Sequence, residues 1–464
     1  MSQETPVSRS PPHVLLVSAP LQGHVNPLLC LGRRLASRGL LVTFTTAPHA
    51  SLKVKQLHNG DGAVIDVGRG TLRFEHLRGG RLWAPDDPRY RVPDDMQRHI
   101  QDAGPAALEG LIRRQADAGR PVSFIVANAF APWAVGVARD MGVPRAMLWT
   151  QSCAVLSLYY HHLYSLAEFS PAAGAEPDLP VTVPGLPALT VGELPALVYA
   201  PDQYVWRQAL VEDLLSLHET LPWVLVNTFD ELEHAAIEAL RAHLPVVPVG
   251  PLFEFETDSG AGKDDCMEWL DSQPPRSVVF VAFGSLVVIG RDEAAEVAEG
   301  LAITGRPFLW VVRDDSRGLL PDDVLESSGT GSDKGKVVAW CEQRRVLAHP
   351  AVACFVTHCG WNSTTEALAA GVPVVAYPAW SDQITNAKLL ADVYGVGVQL
   401  PVPPTRDALR RCVDEVMSGP ETEAIRLRSR EWMNRARAAV ADGGSSDMGI
   451  RDFTDALLPA KHGC

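Results

Sequence analysis

The sequence predicts an α/β protein made of two doubly wound, Rossmann-like halves. Three observations carry that expectation. Short apolar runs that read as buried parallel strands alternate with helix patterns. The alternation breaks at one Pro- and Gly-bearing stretch and then begins again. The chain has 464 residues, too many for one compact core and comfortable for two.

The first run is His13 to Ala19, HVLLVSA, apolar on both faces as a central parallel strand must be. A loop, PLQGHVNP, follows it. A helix runs from about Pro27 to Arg38, with Pro27 in its first turn and Gly39 past its end. Leu41 to Thr46 is the next strand, so the order is strand, helix, strand, the crossover that parallel pairing requires. Pro121 to Ala127 and Ala146 to Thr150 repeat the strand signal, with a helix around Trp133 to Met141 between them. The stretch Val246 to Lys263, which runs into the polar segment TDSGAGKDD, reads as the connection between halves. Beyond it come strands at Ser277 to Phe283, Phe308 to Val312, Val337 to Trp340, Cys354 to Thr357 and Val372 to Tyr377. A helix at Asp292 to Ile303 separates the first two, and Asp314 to Lys336 reads as an exposed loop. The resulting boundaries are a first domain over 1–248, a linker over 249–265, a second domain over 266–445, and a closing helix over 446–464 that packs back on the first domain. Two such halves facing each other across a cleft suit a two-substrate reaction, with ligands at the carboxyl ends of the strands.

Composition excludes several classes. The net charge of −14 argues against a nucleic-acid backbone or an anionic membrane as the main partner. None of the eight cysteines forms a CxxC pair, so neither a zinc cage nor a redox dithiol is expected. The N-terminal segment lacks a basic start before a long apolar stretch. The run Val14 to Leu21 is far shorter than the ~20 apolar residues that span a bilayer. A cytoplasmic enzyme without stable membrane insertion is the expectation. Neither first-strand loop carries GxGxxG, which disfavours a dinucleotide dehydrogenase.

The chemistry concentrates between Trp340 and Gln383. There the strand CFVT runs into His358-Cys359-Gly360-Trp361-Asn362-Ser363 and then an alanine-rich helix. A Gly-containing strand-to-helix loop presents free backbone N–H groups at the positive end of a helix, which suits a diphosphate. Asn362 or Ser363 can cap that helix. His358 can donate to a phosphate oxygen, and Glu366 can accept from ribose hydroxyls.

This stretch resembles the signature box of the plant family-1 UDP-glycosyltransferases from its first Trp to its last Gln, and the GHVNP and FGS loops match as well. The resemblance implies a GT-B fold and a UDP-sugar donor site. Trp340 would stack on uracil, with Cys341 beside it and Gln343 on the ribose. Ser285, His358, Asn362 and Ser363 would hold the diphosphate, and Glu366 the ribose hydroxyls. Trp361, Asp382 and Gln383 would read the sugar, Gln383 marking a glucose donor, and Thr150 would also touch the sugar. One departure is Glu342, where the family has a small residue or Pro.

His24, in the loop after the first strand, sits where a general base belongs, since imidazole titrates near neutral pH. The resemblance gives it that role, with direct inversion at the sugar carbon and neither metal nor other cofactor. The family orients this His with an Asp, and here the matching position is Asn128. An Asn can hold a ring but cannot stabilise an imidazolium by charge. A weakened base suits an acceptor already ionised at neutral pH, such as a carboxylate. The pattern is similar to the branch that forms glucose esters of phenolic acids. The expectation is therefore a monomeric enzyme that binds UDP-glucose and a small aromatic acceptor. O- or C-glucosylation of phenolic acceptors is the alternative within the class, and a non-catalytic UDP-sugar-binding protein the alternative outside it.

Overall fold

The computed structural model describes residues 11–50, 63–79, 81–169, 180–198, 205–216, 221–254, 265–284, 287, 289–314, 316–320 and 334–458. The chain divides into two compact units. The first is Met1–Tyr164, Ala200–Phe253 and Asp442–Cys464; the second is Ser165–Tyr199 and Glu254–Ala441.

The first unit opens with β1 (His13–Val17), α1 (Gln22–Ser37) and β2 (Leu41–Thr45), followed by the hairpin β3 (Val64–Val67) and β4 (Gly70–Phe74). Then come α2 (Pro93–Asp117), β5 (Phe124–Asn128), α3 (Pro132–Asp140), β6 (Arg145–Trp149) and α4 (Cys153–Leu163). After these lie α5 (Val205–Ser216), β7 (Val224–Val226), α6 (Asp230–Arg241) and β8 (Val246–Pro248). The sheet order is β3-β4-β2-β1-β5-β6-β7-β8, with β3 antiparallel and every other pairing parallel. β1 and β5 are buried at every position, which is why their sequences are apolar without alternation.

The second unit contains α7 (Asp265–Asp271), β9 (Val278–Ala282), α8 (Arg291–Thr304), β10 (Phe308–Val311), β11 (Gly335–Val338) and α9 (Gln343–Leu347). It continues with β12 (Val352–Thr357), α10 (Trp361–Ala370), β13 (Val374–Ala376), α11 (Gln383–Lys388), β14 (Gly397–Gln399), α12 (Arg406–Ser418) and α13 (Thr422–Val440). Its sheet is parallel throughout, in the order β11-β10-β9-β12-β13-β14. The last helix, α14 (Ser445–Leu457), belongs to the first unit. Its Phe453 is fully buried, edge-on to Phe124 and Trp223.

Strand order reverses between β1 and β5 in one sheet and between β9 and β12 in the other. Crevices at such switch points, beyond the carboxyl ends of the strands, are where doubly wound sheets bind ligands.

Three expectations need correction. The loop before Pro27 is mostly helix, because α1 begins at Gln22 and places His24 in its first turn. Pro27 sits within that helix, where its missing N–H removes a single bond near the end. The stretch expected to connect the halves from Val246 begins as β8, paired in parallel with β7; residues 255–264 lie outside the described residues. Finally, Ser165–Tyr199 groups with the second unit although the expected first domain ran to 248. Its anchors explain why: Ala196 N–H donates to the Ser381 carbonyl, Thr385 Oγ1 donates to the Glu193 carbonyl, and Lys388 Nζ pairs with Glu193 at 2.7 Å.

Candidate active site

In the second unit, β12 runs straight into α10 through His358, Cys359 and Gly360. Gly360 is the N-cap and, having no side chain, makes no side-chain cap bond. The first-turn amides of α10 point along the positive helix end, where an anion is favoured. Asn362 is half-buried in that turn. The backbone bends sharply here, Cys359 adopting φ +63°, a left-handed conformation costing a non-Gly residue roughly 1–2 kcal/mol. Asn386 holds the bend by donating from Nδ2 to the Cys359 carbonyl at 3.0 Å and to Asp382 Oδ2 at 2.9 Å. Sequence reasoning missed Asn386; its one signal is its place four residues after Asp382 on a helix.

His358 is wedged between two backbones. A Cβ on Gly284 or on Gly360 would come within 2.5 Å of its Nε2, so both positions have room only for hydrogen. Desolvation pulls the His358 ring down to about 4 against the opposing Ala282 carbonyl, although its Nδ1 makes no hydrogen bond of good geometry. Without a ligand the ring is therefore held in its neutral form at neutral pH. Ser285, the next residue of the Gly284 loop, lies outside the described residues.

Beside this corner, Gln343 at the start of α9 donates from Nε2 to Ser363 Oγ at 2.9 Å and to Glu366 Oε2 at 2.8 Å. Although solvent still reaches part of Glu366, burial raises its carboxyl to about 7; the Gln343 hydrogen bond pulls the other way. Trp340 is 67% exposed, a large ring presented to solvent, while Cys341 is buried. Glu342, the departure from the family pattern, stands at the N-cap position of α9 without a side-chain cap bond and pairs with Arg344 at 3.2 Å. The Trp361 indole is buried at the first position of α10, so the group it offers a ligand is its backbone amide. Desolvation raises Asp382 to about 6, against the Asn386 hydrogen bond. Gln383 Oε1 accepts from the amides of Ala379 and Trp380 at 3.0 and 3.2 Å, which leaves Nε2 as its outward donor.

In the first unit, His24 Nδ1 lies 2.8 Å from Thr150 Oγ1, at the end of β6. Desolvation lowers His24 to about 4, with Asn128 nearby as a weak opposing acceptor and no carboxylate among the groups that shift it. Asn128 is completely buried at the end of β5, and neither its Oδ1 nor its Nδ2 reaches good hydrogen-bond geometry. Thr150, expected to touch the sugar, also lies against the imidazole of His24, and Asn128, expected to orient that ring, interacts with it as well. The Phe130 ring meets His24 edge-on at 5.3 Å, a contact the sequence did not reveal.

Among the described residues, Asp230, His234 and Glu238 on α6 offer three possible metal ligands, Asp230 half-buried and the other two exposed. No helix among the described residues is long and apolar enough to cross a membrane.

The chain is similar to known proteins in sequence and in fold. The family described as UDP-glucoronosyl and UDP-glucosyl transferase matches residues 198–430. A gallate 1-beta-glucosyltransferase of Punica granatum is 42% identical, over 97% of this chain and 89% of that protein. A cinnamate beta-D-glucosyltransferase of Fragaria ananassa is 39% identical, over 97% and 83%. The crystal structure of Os79 from O. sativa in complex with UDP superposes with a TM-score of 0.83 at 31% identity, covering 96% of this chain and 100% of that one. The chain belongs to the UDP-glycosyltransferase family, and its two Rossmann-like units are those of a GT-B fold.

Proposed function

We propose that this protein transfers glucose from UDP-glucose to the carboxylate of a small aromatic acid, forming a glucose ester with inversion at the anomeric carbon. A carboxylate oxygen attacks that carbon, the bond from it to the diphosphate oxygen breaks, and UDP leaves with the electron pair. Trp340 would face the uracil, and Gln343 and Glu366 the ribose. The first-turn amides of α10, with His358 as donor, would hold the diphosphate and its developing charge. Asp382 and Gln383 Nε2 would read the sugar. The step as written calls for no metal ion, and the rate should survive an excess of EDTA.

One observation carries the choice of acceptor: the environment of His24. In the tautomer whose Nδ1–H donates to Thr150 Oγ1, Nε2 keeps the lone pair and can take an acceptor proton. Yet burial and a neutral residue at 128 make it a weak base, near 4. A phenol with a pKa near 10 gains little from such a base, whereas a carboxylate reaches the site already charged. Relatives named for gallate and cinnamate support the same reading.

The test is a panel of aromatic acids and phenols incubated with UDP-glucose and read by mass, with mild alkali to cleave esters selectively. Alkali-labile glucosides of the acids should dominate. Alkali-stable products from the phenols alone would replace this reading with O- or C-glucosylation, and UDP-glucose binding without any product would leave a binding protein.

A further inference from the structure

The turn that carries Asn128 is strained, and two buried polar side chains grip it. Ala131 N–H donates to the Asn128 carbonyl at 3.1 Å, closing a four-residue turn at the end of β5. Its third residue, Phe130, has φ +66°. That position favours Gly, and a bulky residue there costs roughly 1–2 kcal/mol. Gln97, 1% exposed on α2, donates from Nε2 to the Phe130 carbonyl at 3.0 Å. Asp213, fully buried on α5, receives the Phe130 N–H, in a contact looser than an ideal hydrogen bond. The two groups of Phe130's backbone are thus addressed from two different helices, while its ring, 6% exposed, sits edge-on to His24.

We propose that Gln97 and Asp213 are positioning residues for His24, holding the Asn128–Ala131 turn in its strained form so that the Phe130 ring fixes the imidazole against Thr150. For the consequence in turnover, this rests on His24 acting as proposed above. Burial holds the Asp213 carboxyl well above the usual range, and the Phe130 amide opposes this. Thr150 constrains Nδ1 of the ring, and Phe130 constrains one of its edges; released from the second, the ring turns about its side-chain bonds and Nε2 loses its aim.

The test uses Gln97→Met, which keeps length and loses the donor, with Asp213→Leu and the conservative Asp213→Asn. In the folded variants Gln97→Met should lower kcat by roughly tenfold or more, as small misplacements of a catalytic group do, with the UDP-glucose KM unchanged. Asp213→Asn, which keeps an acceptor, should lose less than Asp213→Leu. A second readout needs no turnover: NMR titration of the His24 ring in ligand-free protein, its resonance identified by loss in His24→Ala. The midpoint should move up toward the ordinary value in Gln97→Met as the ring leaves its packed position. A moved midpoint in an enzyme that glucosylates no acceptor would support the positioning role while removing the proposed function. Wild-type kcat and an unmoved midpoint in folded Gln97→Met would overturn the proposal. If Asp213→Leu fails to fold, equal activity and equal midpoints for Gln97→Met, Asp213→Asn and wild type overturn it equally.

Discussion

Glu366 illustrates how one residue can report on the donor site. Its carboxyl is held at about 7 by burial, so near neutrality a good fraction is protonated without ligand. Ribose hydroxyls donate best to the ionised form, so binding should release a proton below pH 7. The sign follows: UDP affinity should fall as pH drops below 7, by up to about tenfold per unit, and level off above it. Glu366→Gln should flatten that dependence and weaken UDP binding roughly tenfold, the loss expected for hydrogen bonds to a charged group. Calorimetric titration of UDP between pH 5.5 and 8 checks both; a flat wild-type profile would remove the ribose role. Asn128 and His24 form the second residue-scale test. Asn128→Asp sets a negative charge beside a ring now near 4, which should raise its pKa and strengthen it as a base. Phenol turnover should rise relative to acid turnover, because the same charge repels an incoming carboxylate. His24→Ala should cost phenols about 10²–10⁴-fold in kcat and acids less. An unchanged acid-to-phenol ratio in Asn128→Asp would separate residue 128 from acceptor choice.

At the scale of elements, the donor corner depends on how closely the β9 loop approaches the β12 loop. Gly284 combines φ +74° with a Cβ position 2.5 Å from His358 Nε2. Gly305, which ends α8, has φ +66° and open space around its Cβ position. The pair separates backbone strain from displacement of the ring. Gly305→Ala should lose about 1 kcal/mol of stability and keep UDP affinity, whereas Gly284→Ala should lose both. Thermal unfolding with and without UDP reads the difference; equal UDP affinity in the two variants would show that His358 does not depend on this approach. The central strands of both sheets were legible because burial on both faces leaves an unbroken apolar run. β3 and β4 were not, because they are half-buried and lie at the sheet edge. β7 and β14 are only 3 residues each, too short to show a period. The start of α1 was misjudged because Pro27 resembles a first-turn proline, and nothing local says that the helix runs ahead of it.

For the whole molecule, stability of the first unit depends on the end of the chain returning to it. Phe453 on α14 is fully buried between Phe124 and Trp223, and Asp447 pairs with Arg38, which ends α1 as its C-cap. Phe453→Ala should destabilise that unit by about 3–5 kcal/mol, the usual range for truncating a buried Phe. Circular dichroism melting checks it, and UDP should still bind, because the donor residues belong to the second unit. A melt unchanged from wild type would show that α14 adds nothing to the first unit.

By itself the sequence determined the α/β class and the family, through one contiguous stretch proposed as the donor site. These are local properties: buried parallel strands need apolar runs, and Trp340 to Gln383 packs a loop, a helix terminus and their polar groups into one contiguous stretch. The tertiary structure decided everything that required distant segments to meet. Thr150 reaches His24 across 126 positions, Gln97 reaches Phe130 from another helix, and Asn386 fixes Cys359 from beyond the next strand. Periodicity along a chain cannot report such pairings, because they are set by strand order and by which helix covers which sheet edge. Burial, likewise a property of the packed molecule, is what moved His24 and His358 down to about 4 and Glu366 up to about 7. The residue types allowed those values; only the desolvation imposed by packing chose them.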